Sequence, residues 1–114
     1  MSQLIQKPWG QEEWHLVNSK YAIKEITMNL GFRCSLQYHE IKRETIIVKQ
    51  GELLVELGET TQTLEKKILI PGELLDIPAK IIHRMSAPHS VTIYWEISTP
   101  ELDDVVRLHD DFNR

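Results

Sequence analysis

Only one cysteine, Cys34, occurs in the 114 residues, so no internal disulfide can form and nothing calls for an oxidising compartment. Long apolar runs are missing too. The N-terminal stretch MSQLIQKPWGQEE holds no hydrophobic core of signal-peptide length. No segment reaches the length of a membrane-spanning helix, so no membrane partner is expected. Positive charge is not in excess: the formal net charge is −4, which argues against a nucleic-acid binder working through a clustered basic surface. Internal repeats, low-complexity segments and linkers are absent. These exclusions leave a soluble, cytoplasmic chain whose 41% hydrophobic residues suffice for one modest core, read as a single domain over 1–114.

Helical periodicity is also lacking before residue 100. Short β-like runs separated by turn residues stand in its place. Residues 22–30 alternate, with Ala22, Lys24, Ile26, Met28 and Leu30 on one face. Further runs cover 33–39, 45–49, 53–57, 61–70, 74–77, 81–86 and 91–97, with turn signals at Gly31, Gln50-Gly51, Gly58, Pro71-Gly72 and Pro78. Many short strands at this spacing indicate an all-β sandwich or barrel. Residues 1–13 read as irregular, with a break at Pro8-Trp9-Gly10 and Trp9 as an apolar anchor. The tail PELDDVVRLHDDFNR permits a helical turn or a clasp across the barrel. Its Asp103, Asp104, Asp110 and Asp111 read as a solvated acidic tail rather than a cation site.

The chemistry gathers between Gly31 and Gly51. Gln37 and His39 are two apart and share one face of a strand. Glu44 follows at an odd spacing and would face away, unless Glu40-Ile41-Lys42-Arg43 turns the chain so that Glu44 opens the next strand facing inward. His83, in IPAKIIHRM, would complete the set from a strand across the barrel. Gln37, His39, Glu44 and His83 offer nitrogen and oxygen donors without thiolate, a set suited to zinc, manganese, cobalt, iron or nickel. The competing reading is an ordinary strand Gln-x-His pair and a hydrogen-bonded rim histidine, and spacing leaves both open. Cys34 reads as a packing residue. His15, His89 and His109 have no partner spacing and default to the surface.

Gly31 to Gly51 resembles the first cupin motif, and GELLDIPAKIIH (72–83) resembles the second. More narrowly, KPWGQEEW, RCSLQYH, IPAKIIHRM and STPELDDVVRLHDDFNR together resemble, almost end to end, the C-terminal cupin module of type II mannose-6-phosphate isomerases. The resemblance implies a cupin-type β jelly-roll barrel and a divalent metal ion on Gln37, His39, Glu44 and His83. It also implies a phosphorylated sugar or sugar nucleotide as ligand. Such enzymes often carry a GDP-mannose pyrophosphorylase domain in front, and this chain is expected to be a stand-alone form. The isomerase pattern reads roughly QxHxxRxEHW. Here Lys42 stands where the arginine is expected and Thr45-Ile46 replaces His-Trp. Lysine keeps the positive charge but loses the planar fork that grips phosphate at two points.

An aldose–ketose isomerase moves a proton between C1 and C2, which needs a base beside the site. Lys42 and Glu96 are the candidates, while Arg33, Lys24 and Lys42 are candidates for substrate binding. Glu96 lies in VTIYWEIS, facing inward and functional or outward and solvated. Lys24 projects into the barrel or snorkels at its rim. Two other functions stay open: a non-catalytic module that binds a sugar or sugar nucleotide, and a cupin oxygenase. Exposed sheet edges point to a homodimer.

Overall fold

The computed structural model describes residues 2–114. Eleven strands form two antiparallel sheets, and no helix occurs among the described residues. The strands are β1 (Gln3–Lys7), β2 (Gly10–Val17), β3 (Ala22–Met28), β4 (Leu36–Tyr38), β5 (Glu44–Gln50), β6 (Leu53–Gly58), β7 (Glu65–Leu69), β8 (Leu74–Ile77), β9 (Ile82–Ser86), β10 (Thr92–Ser98) and β11 (Val106–His109). One sheet has the order β1-β2-β3-β10-β5-β8, the other β11-β4-β9-β6-β7.

Period-two alternation decides which side chains enter the space between the sheets. In β3 the residues Ala22, Lys24, Ile26 and Met28 are buried, and in β10 Thr92, Tyr94, Glu96 and Ser98 are buried. β5 alternates likewise, with Glu44, Ile46 and Val48 inside. The interior has two parts. Ile26, Met28, Ile46, Val48, Leu53, Val55, Ile77, Met85 and Tyr94 form an apolar core. Lys24, His39, Lys42, Glu44, His83 and Glu96, all buried, make the other part polar.

Both chain ends differ from the expectation. The first thirteen residues are not irregular: β1 and β2 form a hairpin around Pro8-Trp9, and Trp9 is buried in the core. β1 escapes pattern reading because it is an edge strand held by backbone pairing, with Leu4 exposed. The tail takes the clasp option and not the helical turn, because β11 pairs antiparallel with β4 and adds an edge to the second sheet. The 33–39 run shortens to β4, with Arg33 left as an isolated bridge to Ser86. The 61–70 run shortens to β7.

Two glycines test the turn geometry. Gly31 and Gly51 have φ of +82° and +85°, both in the left-handed region. A Cβ on Gly51 would lie 2.6 Å from the Val91 carbonyl oxygen, whereas one on Gly31 would meet nothing within 4 Å. Gly31→Ala should therefore cost about 1 kcal/mol of backbone strain, and Gly51→Ala clearly more, on the order of 2–3 kcal/mol. Urea denaturation of the two variants measures the difference, and equal losses would contradict this account of the 50–51 turn.

Candidate metal centre and cavity

Gln37 in β4 and His83 in β9 are direct cross-strand partners, so both side chains leave the second sheet on the same face. His39 follows two residues after Gln37 and keeps to that face. Residues 40–43 then cross to the first sheet, where Glu44 opens β5 pointing inward and is 2% exposed. The odd spacing between His39 and Glu44 is thus resolved by a change of sheet. His83 lies across the interior from Glu44 but beside Gln37.

The imidazoles are oriented from behind. Nδ1 of His83 is 2.9 Å from the Ile81 carbonyl oxygen, and Nδ1 of His39 donates to the carbonyl of Asp104. A carbonyl only accepts, so each Nδ1 carries the proton and each Nε2 turns its other side inward. Both meet the same atom: Glu44 Oε1 lies 3.2 Å from His39 Nε2 and 3.0 Å from His83 Nε2. The His83 approach lacks hydrogen-bond geometry, which leaves its Nε2 a buried polar atom without a partner. Two neutral imidazole lone pairs aimed at one carboxylate oxygen are a stable set only with a positive charge among them, a proton or a metal cation.

Electrostatics agree with that geometry. Burial alone would lift the Glu44 carboxyl, but His39, His83 and the Lys42 charge together hold it well below the usual carboxylate range. Burial alone would lower His83, but the Glu44 carboxylate beside it holds it above the ordinary histidine value. His39, Glu44 and His83 have donor atoms within 4.8 Å of one another, and this nitrogen and oxygen set fits a divalent ion. Gln37 lines the same cavity, its Oε1 accepting from Ser35 Oγ at 2.6 Å. A carbonyl oxygen has a second lone pair left for a cation.

The cavity has a volume of about 400 Å³ and is lined by His39 and Glu44 beside Gln37, Lys42 and Glu96, while fully buried His83 lies behind Glu44. Glu96 faces inward, and its Oε2 accepts from Lys42 Nζ at 3.0 Å. Lys24 also projects into the barrel and does not snorkel. Its Nζ lies 3.8 Å from both Glu12 and Glu96 and 4.6 Å from the Trp14 ring centroid. Burial raises the Glu96 carboxyl, and the Glu44 charge adds to this against the pull of the two lysines. Lys42 is held protonated: burial opposes its charge, but Glu96 and Glu44 outweigh it. Cys34 lines the cavity too, with burial pushing its thiol up to about 11, as a packing residue requires.

Arg33 is not brought to this cavity. It forms a two-point pair with Asp111 at 2.7 and 2.8 Å. The acidic tail is not simply solvated. Asp111 holds Arg33, Asp110 holds Arg114, and the Asp104 carboxylate accepts from the amides of Glu40, Ile41 and Lys42 at 3.0, 2.8 and 2.9 Å. Asp104 therefore shapes the crossing between His39 and Glu44, a role that sequence reading missed. Glu12 and Trp14 were missed as well. Their i, i+2 spacing after a Pro-Trp-Gly turn was the available signal for an inward strand face.

Two packed antiparallel sheets with a polar cavity at a His-Glu-His set define a cupin-type jelly-roll barrel. The chain belongs to the family described as mannose-6-phosphate isomerase C-terminal, whose profile matches residues 1–110. The xanthan biosynthesis protein XanB of Xanthomonas campestris pv. campestris is 28% identical over 96% of this chain and 23% of its own. The mannose-1-phosphate guanylyltransferase ManC of Salmonella typhimurium is 29% identical over 100% of this chain and 24% of its own. The chain thus spans about a quarter of the length of the curated relatives it matches. Among solved structures, KdgF from Halomonas sp. superposes with a TM-score of 0.77 at 20% identity, covering 89% of this chain and 90% of that one. Oxalate decarboxylase from Bacillus subtilis superposes at 0.82 with 13% identity, over 94% and 30% respectively. At such identities these two likenesses concern the fold alone.

Removing a donor tests the centre. His83→Ala and Glu44→Gln should each weaken cobalt or zinc binding by more than the roughly 10–100-fold that loss of an outer-shell partner costs, and Gln37→Ala should weaken it less. The sign of the pH dependence follows from the competing proton. Because His83 is held above its ordinary value, a metal must displace a proton even above the usual histidine range. Affinity should rise steadily from pH 6 to 8. Calorimetric titration of protein without a histidine tag reads both effects. Unchanged affinity in His83→Ala would refute the ligand assignment.

Proposed function

We propose that this chain is a divalent-metal-dependent cupin acting on a phosphorylated sugar, by aldose–ketose isomerisation of the mannose 6-phosphate type. The carrying observation is the convergence of His39 and His83 on Glu44 beside a buried Lys42–Glu96 pair, in a chain of this family. Gln37, His39, Glu44 and His83 would hold the ion. A bound divalent ion supplies Lewis-acid polarisation of a carbonyl and its neighbouring hydroxyl.

The remaining work falls to the chain's own side chains. Glu96 takes the proton-shuttling role, since a carboxyl raised by burial is closer to the working range of a general acid–base than an ordinary one. Lys42, held protonated, cannot be the base. It keeps Glu96 oriented and offers positive charge toward oxyanion character on the substrate. Lys24, braced by Glu12 and Trp14, lies on the other side of Glu96 and is placed to donate to a sugar hydroxyl.

One observation favours a second reading, a binding module without turnover: the curated relatives are about four times longer than this chain, so the matched part need not carry their activities. Incubation with mannose 6-phosphate in heavy water, with manganese, cobalt or zinc present, separates the two. The expected result is fructose 6-phosphate with deuterium incorporated at C1, the carbon that receives the proton removed from C2, and a loss of about 10²-fold or more in Glu96→Gln. Binding without exchange supports the module.

A second copy of the chain is the proposed partner. Leu74 in the edge strand β8 is 63% exposed, and Ile97 on the outer face of the same sheet is 38% exposed. An edge strand of the other sheet, β7, carries Lys66 and Lys67, which protect it from pairing. Light scattering should give the mass of a dimer, and Leu74→Lys should shift it toward the monomer. A monomeric mass for the unaltered protein contradicts the proposal.

A further inference from the structure

Five arginines occur in the chain, and four are engaged. Arg33 holds Asp111, Arg43 holds Asp76, Arg84 donates to the carbonyls of Cys34 and His109, and Arg114 holds Asp110. Arg107 has no hydrogen bond or ion pair from its side chain among the described residues, yet it lines the cavity. Its position is fixed by register. In β11 it is the direct cross-strand partner of Gln37, which is itself the direct partner of His83. Arg107, Gln37 and His83 therefore form one row across the inner face of the second sheet. His83, at its inner end, is fully buried, while Arg107, at the outer end, is exposed.

Lys7 completes the feature from the other sheet. β1 and β2 place Ile5, Lys7, Glu12 and Trp14 on the cavity by period-two alternation. Lys7 likewise has no ion pair among the described residues. The other cavity cations already have carboxylate partners: Lys24 has Glu12 and Glu96, Lys42 has Glu96, and Arg114 has Asp110. Asp103 lines the same lip but forms no ion pair with Arg107 among the described residues.

We infer that Arg107, assisted by Lys7, is the anion-binding residue of the cavity. It takes the phosphate group of the ligand at the mouth, so that the sugar's carbonyl or hydroxyl end is directed inward to His39, Glu44 and His83. A guanidinium that no protein carboxylate occupies has its planar fork available for two phosphate oxygens. The inference rests on the sugar-phosphate reading for the identity of the ligand, but not for the presence of an anion site. It also relocates phosphate recognition. Of the substrate-binding candidates read from the sequence, Lys42 and Lys24 are already paired with carboxylates and Arg33 is outside the cavity, which leaves the phosphate to Arg107.

Trp14 lines the cavity, so its fluorescence reports binding without turnover. Mannose 6-phosphate, inorganic phosphate and mannose are titrated into cobalt-loaded protein and into the variants Arg107→Gln, Arg107→Lys and Lys7→Gln. Arg107→Gln should weaken mannose 6-phosphate and phosphate by about tenfold or more, the order of one lost charge-assisted two-point contact. Mannose affinity, cobalt affinity and the thermal melt should not change. Arg107→Lys should recover part of the loss, and Lys7→Gln should show a smaller one. If mannose 6-phosphate binds Arg107→Gln as tightly as the unaltered protein, the inference is overturned while the sugar-phosphate reading stands. If phosphate binds in an Arg107-dependent way but mannose 6-phosphate does not bind, the anion site stands and the sugar-phosphate reading fails. Failure of the unaltered protein to bind any anion overturns the inference.

Discussion

The rest of the cavity depends on one electrostatic constraint. Two imidazoles, each held from behind by a backbone carbonyl, turn Nε2 toward a single oxygen of Glu44. Acceptors facing an anion in a buried setting repel, and burial of an uncompensated charge costs several kcal/mol. A cation between them reverses the sign. A proton does this in part, and the raised His83 and depressed Glu44 are its signature. A divalent ion held by these donors would do it more fully.

The constraint accounts for an otherwise expensive interior. Lys24, Lys42, Glu44 and Glu96 are all buried in a barrel with a modest core. Each lysine is compensated: Lys42 by Glu96 at 3.0 Å, Lys24 by Glu12 and Glu96 and by the Trp14 ring. Register produces this pairing. Glu96 is the cross-strand partner of Lys24, and Lys24 is the partner of Trp14. Apolar residues at those positions would stabilise the barrel at least as well. Retaining charges there is the pattern of a site and not of a core, and the segregation from Ile26, Met28, Val48 and Tyr94 keeps the two requirements apart.

The legible part of the fold was the part governed by burial. β3, β5 and β10 alternate because one face of each is inside, and that alternation placed Lys24 and gave Glu96 two possible faces. The odd step from His39 to Glu44 was enough to demand a change of direction at 40–43, and the chain does change sheets there. The chain ends were illegible for a matching reason. β1 and β11 are edge strands, held by backbone hydrogen bonds that leave no hydrophobic period. Asp104 reads as one of several tail acids, yet its meaning lies in three amides more than sixty positions away. Arg33 shows the reverse case: its place in the first motif suggested the cavity, and a long-range partner, Asp111, holds it elsewhere.

The two ends also supply much of the cavity lining. The hairpin of β1 and β2 forms one lip of the cavity, through Lys7, Glu12 and Trp14, and the tail forms the other, through Leu102, Asp103, Val105 and Arg107. Asp104 lies between them in sequence and works on the floor, fixing the loop that joins His39 to Glu44 and, through its carbonyl, the His39 ring. Arg107 follows three residues later, in register with Gln37. One short segment therefore touches the proposed metal set at two points and the proposed anion contact at a third. Any shift of β11 against β4 moves the anion contact and the His39 anchor together. The proposed recognition at the mouth and the proposed chemistry at the floor would then be coupled through the tail without a moving part.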